Sequence, residues 1–197
     1  DHRVTLPVAP LTLEVFSGDD GWVNEGVLHA ADGAWFPIID GLPVFPSAAL
    51  DVDLTVFARR YGLPYAGGRD DDHRGQAHTN VTFSDKWRRF KNYGLEPEHK
   101  PFLQGWYVKK FGLNSTDDLP SFFAKFENIL EAGPGSGFNS RFMAEHCTGK
   151  VFALDISEAA RTTMGNTRDL DNCHAVNADL FQAPFPDNSF DFVIADG

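Results

Sequence analysis

Residues 128–156 read NILEAGPGSGFNSRFMAEHCTGKVFALDI, and the fold is decided in this stretch. ENILEAG, Glu127 to Gly133, is a short β-rich run ending in glycines, and Gly135 and Gly137 follow in alternation. A helical pattern, NSRFMAEHC, comes next, and KVFALDI is a second apolar run. Further on, SEAARTTMGNTRDL reads as a helix with Ser157 as its N-cap. HAVNAD is a third strand, a proline-rich loop follows, and DFVIADG is a fourth. Near-continuously apolar strands alternating with helices predict parallel βαβ units, and hence an α/β sheet covered on both faces.

The segment Glu131-Ala132-Gly133-Pro134-Gly135-Ser136-Gly137 predicts a tight turn from strand into helix. Glycine lets the backbone take positive φ and approach a ligand closely. The helix N-terminus behind it presents free N–H groups to a carboxylate or phosphate. The dinucleotide fingerprint G-x-G-x-x-G is not met: counted from Gly133 its last glycine falls on Phe138, and counted from Gly135 it falls on Ser140. Asp155 ends the second strand about 20 residues beyond the glycines, where an acidic side chain meets ribose hydroxyls. That ribose is common to nicotinamide and S-adenosyl cofactors, so Asp155 alone does not separate them.

The pattern E-x-G-x-G-x-G resembles motif I of the class I, S-adenosylmethionine-dependent methyltransferases. The resemblance implies a Rossmann-like fold of seven strands in the order 3-2-1-4-5-7-6, of which strands 1–4 are present. It implies that the loop with Glu131, Gly133, Gly135 and Gly137 wraps the methionine end of S-adenosyl-L-methionine. It also implies that Asp155 binds the ribose, that Ile156 packs on the adenine, and that Asp179 accepts from the adenine amino group with the Leu180 N–H facing the ring. Asp196 would sit beside the methionine moiety and the transferred methyl. The lead-in QAPFPDNSFD before the fourth strand fits the same family. The chain stops two residues after that strand, so a fragment of a longer protein, or completion of the sheet by another chain, is expected. No catalytic base is assigned.

The front of the chain has another texture. Residues 1–47 are short apolar runs broken by Gly, Asp and Pro, as small strands and turns are. The run from Gly26 to Phe45, with Trp35, Phe36, Pro37, Ile38, Asp40, Gly41, Leu42 and Pro43, resembles the end of a Trm112-like zinc-ribbon module. Its two cysteine positions hold His29 and Asp32, and an earlier cysteine pair has no counterpart. A structural zinc site needs four strong ligands, so a module without metal is expected, packed by Trp22, Trp35, Phe36 and Phe45. Residues 51–61 read as a short helix with Asp51 or Asp53 near its start and Gly62 past its end. Residues 66–80, which include His73 and His78, read as a linker. Two helices are expected next. One runs over SDKWRRFKNY, with Ser84 as N-cap and Gly94 as stop, and the other over PEHKPFLQGWYVKKF, with Pro97 early and Gly112 after its end. The stretch Phe83-x-x-x-Trp87-x-x-Phe90 is similar to the connection between module and catalytic domain in such enzymes. The expected divisions are therefore 1–50, a degenerate β-rich module; 51–125, linker and helices; and 126–197, the cofactor-binding half.

Composition bounds the function. The apolar fraction is 42%, no apolar run nears the roughly 20 residues of a membrane span, and Cys147 and Cys173 make no disulfide framework. A cytoplasmic protein with reduced thiols is expected. The net charge of −11 repels phosphate backbones, so no nucleic acid is expected, and the resemblance to a ribbon module ahead of a methyltransferase domain implies a small-molecule substrate. Two rival functions remain in view: a non-catalytic cofactor-binding scaffold or partner subunit, and a nicotinamide-dependent oxidoreductase, which the failed fingerprint disfavours.

Overall fold

Antiparallel pairing dominates the first third of the chain and parallel pairing the last. The computed structural model describes residues 11–19, 21–45, 53–64 and 83–196. The linker reading at 66–80, with His73 and His78, lies outside them.

Strands β1 (Thr12–Asp19), β2 (Trp22–His29), β3 (Trp35–Ile39) and β4 (Leu42–Pro43) form a meander in that order. The β3–β4 connection is the pair Asp40-Gly41, both at positive φ (52° and 87°), between the paired residues Ile39 and Leu42. Two left-handed residues match the twist of a two-residue hairpin, and Asp-Gly supplies them at low cost. Helix α1 (Leu54–Tyr61) lies on this sheet. The Asp53 side chain accepts from the N–H groups of Thr55 and Val56, and Gly62 ends the helix at φ 67°. Phe57 of α1 packs on Phe16 and Trp35, and Tyr61 stacks on Phe16. Phe36 meets Phe45 at 4.7 Å, and the Arg168 guanidinium lies over Trp22. His29 and Asp32 have local roles: His29 pairs with Glu14 at 2.9 Å, and Asp32 accepts from the Ala34 N–H.

The second sheet has strands β5 (Asn128–Ala132), β6 (Lys150–Asp155), β7 (Cys173–Asn177) and β8 (Phe192–Ala195) in the order β7-β6-β5-β8, all parallel. In the expected numbering this is 3-2-1-4. Helices α5 (Phe138–Ala144) and α6 (Ala159–Thr167) connect β5 to β6 and β6 to β7. Among the described residues β8 pairs with β5 alone, and its Val193 is 59% exposed.

Between the sheets run α2 (residues 83–89), α3 (Lys100–Phe111) and the short α4 (Leu119–Phe123). Two expectations shift here. The chain leaves helix after residue 89 and turns through 91–98, and the second helix begins at Lys100 with Pro101 in its first turn. Ser84 is not an N-cap of its own helix: its hydroxyl accepts from the Glu158 N–H at the start of α6. Ser157, expected to cap α6, stands one residue before Glu158, and its hydroxyl accepts from the Ala159 N–H. Gly112 ends α3 as expected, at φ 64°.

One aromatic core joins α3, α4, α5 and the second sheet through Tyr107, Phe123, Phe142 and Ile129. Another joins the two sheets, with Leu28, Ile38 and Phe45 against Leu130, Leu154 and Val176. The Phe45 N–H donates to the Asn177 carbonyl at 2.8 Å.

Candidate cofactor site

Parallel strands all point their carboxyl ends the same way, so the four loops that follow β5, β6, β7 and β8 gather at one edge of the sheet. They enclose a cavity of about 970 Å³, at the upper end of the ~300–1,000 Å³ typical of ligand pockets. Gly133 and Gly135 from the first loop, Asp155 and Ile156 from the second, Asp179 and Leu180 from the third, and Asp196 from the fourth all line it. Seven of the nine residues expected at a cofactor are thus in one place.

The other two lie behind it. Gly137 faces α6: at φ 83°, a Cβ there would come within 3.0 Å of the Thr163 Cα. Glu131 is buried beneath the loop, 1% exposed. Its carboxylate accepts from Asn139 Nδ2 at 2.9 Å and from the Ser140 hydroxyl, and the Tyr107 hydroxyl donates to Asn139 Oδ1. Burial raises the Glu131 pKa to about 7, against the lowering pull of the Ser140 and Asn139 bonds. Glu131 therefore acts on the cavity through Asn139, which lines it.

Each lining carboxylate is held with one oxygen committed. Asp155 Oδ1 accepts from both the N–H and the hydroxyl of Ser157, each at 2.7 Å. Among the described residues, its Oδ2 has no partner. Burial pushes the Asp155 pKa up, and the two Ser157 bonds oppose that. Asp179 Oδ1 accepts from the Phe181 N–H, which fixes the turn at 180–182. Asp196 Oδ1 pairs with Lys110 Nζ at 2.7 Å, while its Oδ2 is buried and unpartnered among the described residues. An unpaired buried carboxylate oxygen is costly unless a ligand meets it.

The cavity is also lined by aromatic residues not singled out as cofactor contacts in the sequence: Trp87, Tyr93, Phe102, Trp106 and Phe181. Phe102 and Phe181 are 76% and 88% exposed. The Phe83-x-x-x-Trp87 pattern was a visible signal, read as packing between domains. The Trp87 ring does pack, but on the glycine loop: a Cβ on Gly135 would fall 2.5 Å from its Cζ2.

A turn of alternating glycines, an acidic residue at the next strand end and a cavity across four parallel strand ends define a Rossmann-like nucleotide-cofactor domain. The matching family model is the methyltransferase domain, and it covers residues 129–197. Among solved structures, the chain is similar to a SAM dependent methyltransferase from Aquifex aeolicus, at 25% identity and a TM-score of 0.35, over 45% of this chain and 54% of that one. A dimethyladenosine transferase from Plasmodium falciparum matches at 22% identity and a TM-score of 0.33, over 41% and 30%. The 23S rRNA methyltransferase ErmE matches at 26% and 0.29, over 34% and 30%. The chain thus spans about half the length of the first and under a third of the other two. No curated protein matches it.

Proposed function

We propose that this chain binds S-adenosyl-L-methionine across the ends of β5–β8 and belongs to an enzyme that transfers the cofactor's methyl group to a small-molecule acceptor. The observation that carries the reading is the convergence of Gly133, Gly135, Asp155, Asp179 and Asp196 on one cavity, each at or just past a strand end. The donor set suits this ligand. Asp155 Oδ2 is available to a ribose diol, and the unpartnered Asp196 Oδ2 suits the cationic methionine end. The pyrophosphate of a dinucleotide would instead meet carboxylates at the same place, which disfavours a nicotinamide cofactor.

The cofactor, when bound, supplies a methyl group activated on a sulfonium. Gly133 lets the backbone approach it closely, because a Cβ there would stand in open space, while Gly135 makes room for the Trp87 ring. Asp155 is pre-oriented by Ser157, so no rotamer search is needed on binding. Asp196 is fixed by Lys110. Trp87, Phe102 and Trp106 give the cavity an aromatic wall, with Trp106 beside Asp196 because Lys110 Nζ also lies 4.5 Å from its ring. Holding two reactants in line in a dry site is the main requirement of a group transfer with little acid–base chemistry. A small-molecule acceptor is supported by the charge of −11, which opposes a nucleic-acid backbone. Two unpaired thiols fit a reducing, cytoplasmic setting. Among the described residues no helix is long and apolar enough to cross a membrane.

Methyl-labelled S-adenosylmethionine offered with fractionated cell extract tests the reading. Label is expected in the small-molecule fraction. Label in the RNA fraction would overturn the acceptor class, and cofactor binding without any transfer would favour the scaffold.

A further inference from the structure

We propose that Lys86 binds the carboxylate of the cofactor's methionine end, so that residues 83–94, outside the methyltransferase-domain match, form part of the cofactor site. The inference rests on the cofactor reading above and adds a residue that neither the glycine motif nor the family match contains.

Three polar ties fasten this segment to the loops around the cavity. The Ser84 hydroxyl accepts from the Glu158 N–H at 3.2 Å, just after the Asp155–Ser157 turn. The Tyr93 carbonyl accepts from the Ser136 hydroxyl at 2.6 Å, inside the glycine loop. Asn166 Nδ2 donates to the Lys91 carbonyl at 2.6 Å and to the Ser136 carbonyl at 2.8 Å. Between these ties the Trp87 ring rests on Gly135, and Lys86 Nζ stands 4.6 Å from the centre of that ring. One indole thus connects the ammonium to the loop that wraps the methionine end.

Lys86 is the one Lys or Arg among the described residues lining the cavity. Lys110 is paired with Asp196, Arg88 with Asp85, Arg141 with Asp169 and Arg161 with Asp40. Lys86 lines the cavity and pairs with no carboxylate among the described residues, in a chain of net charge −11. The helix behind the glycines, α5, has seven residues and offers a short stack of aligned peptides to an anion. A side-chain cation held over an indole supplies what that helix does not. The carboxylate then faces Lys86, and the cationic groups of the same ligand face Asp196 across the cavity.

The test compares two ligands that differ by the amino-acid end. S-adenosylhomocysteine carries it and 5′-methylthioadenosine lacks it. Each is titrated by calorimetry into the wild type, Lys86→Gln and Lys86→Arg. Lys86→Gln is expected to weaken S-adenosylhomocysteine by about tenfold to thirtyfold, the size of one charge-assisted hydrogen bond. Methylthioadenosine should change by less than about twofold, which also shows that the site is folded, and Lys86→Arg should restore most of the affinity. Equal weakening of both ligands, or of neither, overturns the proposal while leaving the cofactor reading intact. A wild type that binds neither ligand overturns both.

Discussion

Glu131 is a fully buried carboxyl group whose pKa is about 7 in the folded chain, against an ordinary value of 4.5, chiefly because burial penalises its charge. Between those values the folded state holds a proton that the unfolded state has released, so stability falls as pH rises from about 4.5 to about 7. The difference corresponds to roughly 3 kcal/mol. Urea unfolding at pH 5 and pH 7.5 should therefore show a larger loss for the wild type than for Glu131→Gln, and parallel losses would contradict this account. Gly137 has a structural role of another kind. At φ 83°, with Thr163 against the space a Cβ would fill, Gly137→Ala should destabilise by about 1–3 kcal/mol. Because Gly137 does not line the cavity, affinity for S-adenosylhomocysteine should hold in the folded fraction. That Gly133, Asp155, Asp179 and Asp196 meet at one cavity was legible in the sequence, because a strand's last residue has a fixed place in a parallel sheet. That Lys86, Trp87 and Trp106 line the same cavity was not legible. Their chemistry depends on which loop a neighbouring helix face meets, and no local spacing encodes that.

Phe123 gives the clearest test at the level of elements. It lies in α4 with no exposed surface and touches Tyr107 and Phe111 of α3, Phe142 of α5 and Phe192 of β8. Phe123→Ala opens a cavity among four elements and should cost about 3–5 kcal/mol, read from the urea midpoint. A loss below about 1 kcal/mol would mean that α4 is peripheral. Strands β5–β8 were read to within two residues, since burial on both faces leaves long apolar runs with little ambiguity. The helices before them were read less well. Ser84 looked like the cap of its own helix, but its hydroxyl serves the backbone of Glu158, 74 residues away. The start of α3 at Lys100 was also hidden, because the turn at 95–99 has residues compatible with helix.

Over the whole molecule, the antiparallel and parallel sheets share a core. Leu28, Ile38 and Phe45 pack with Leu130, Leu154 and Val176, Val44 bridges to Asn177, and Arg161 pairs with Asp40 at 2.9 Å. The front module should therefore unfold with the rest. Fluorescence from its tryptophans, Trp22 and Trp35, together with Trp87 and Trp106 on the cavity wall, should follow the same urea curve as far-ultraviolet circular dichroism. Two separated transitions would show the module to be independent. The central claim is that the four strand ends form an S-adenosyl cofactor site, and Asp155 tests it most directly. Calorimetric titration of the wild type and Asp155→Ala with S-adenosylhomocysteine, and of the wild type with NADH, should show saturable binding of the first ligand alone, weakened at least tenfold in the variant. Equal affinity in the two proteins, or a preference for NADH, would contradict it.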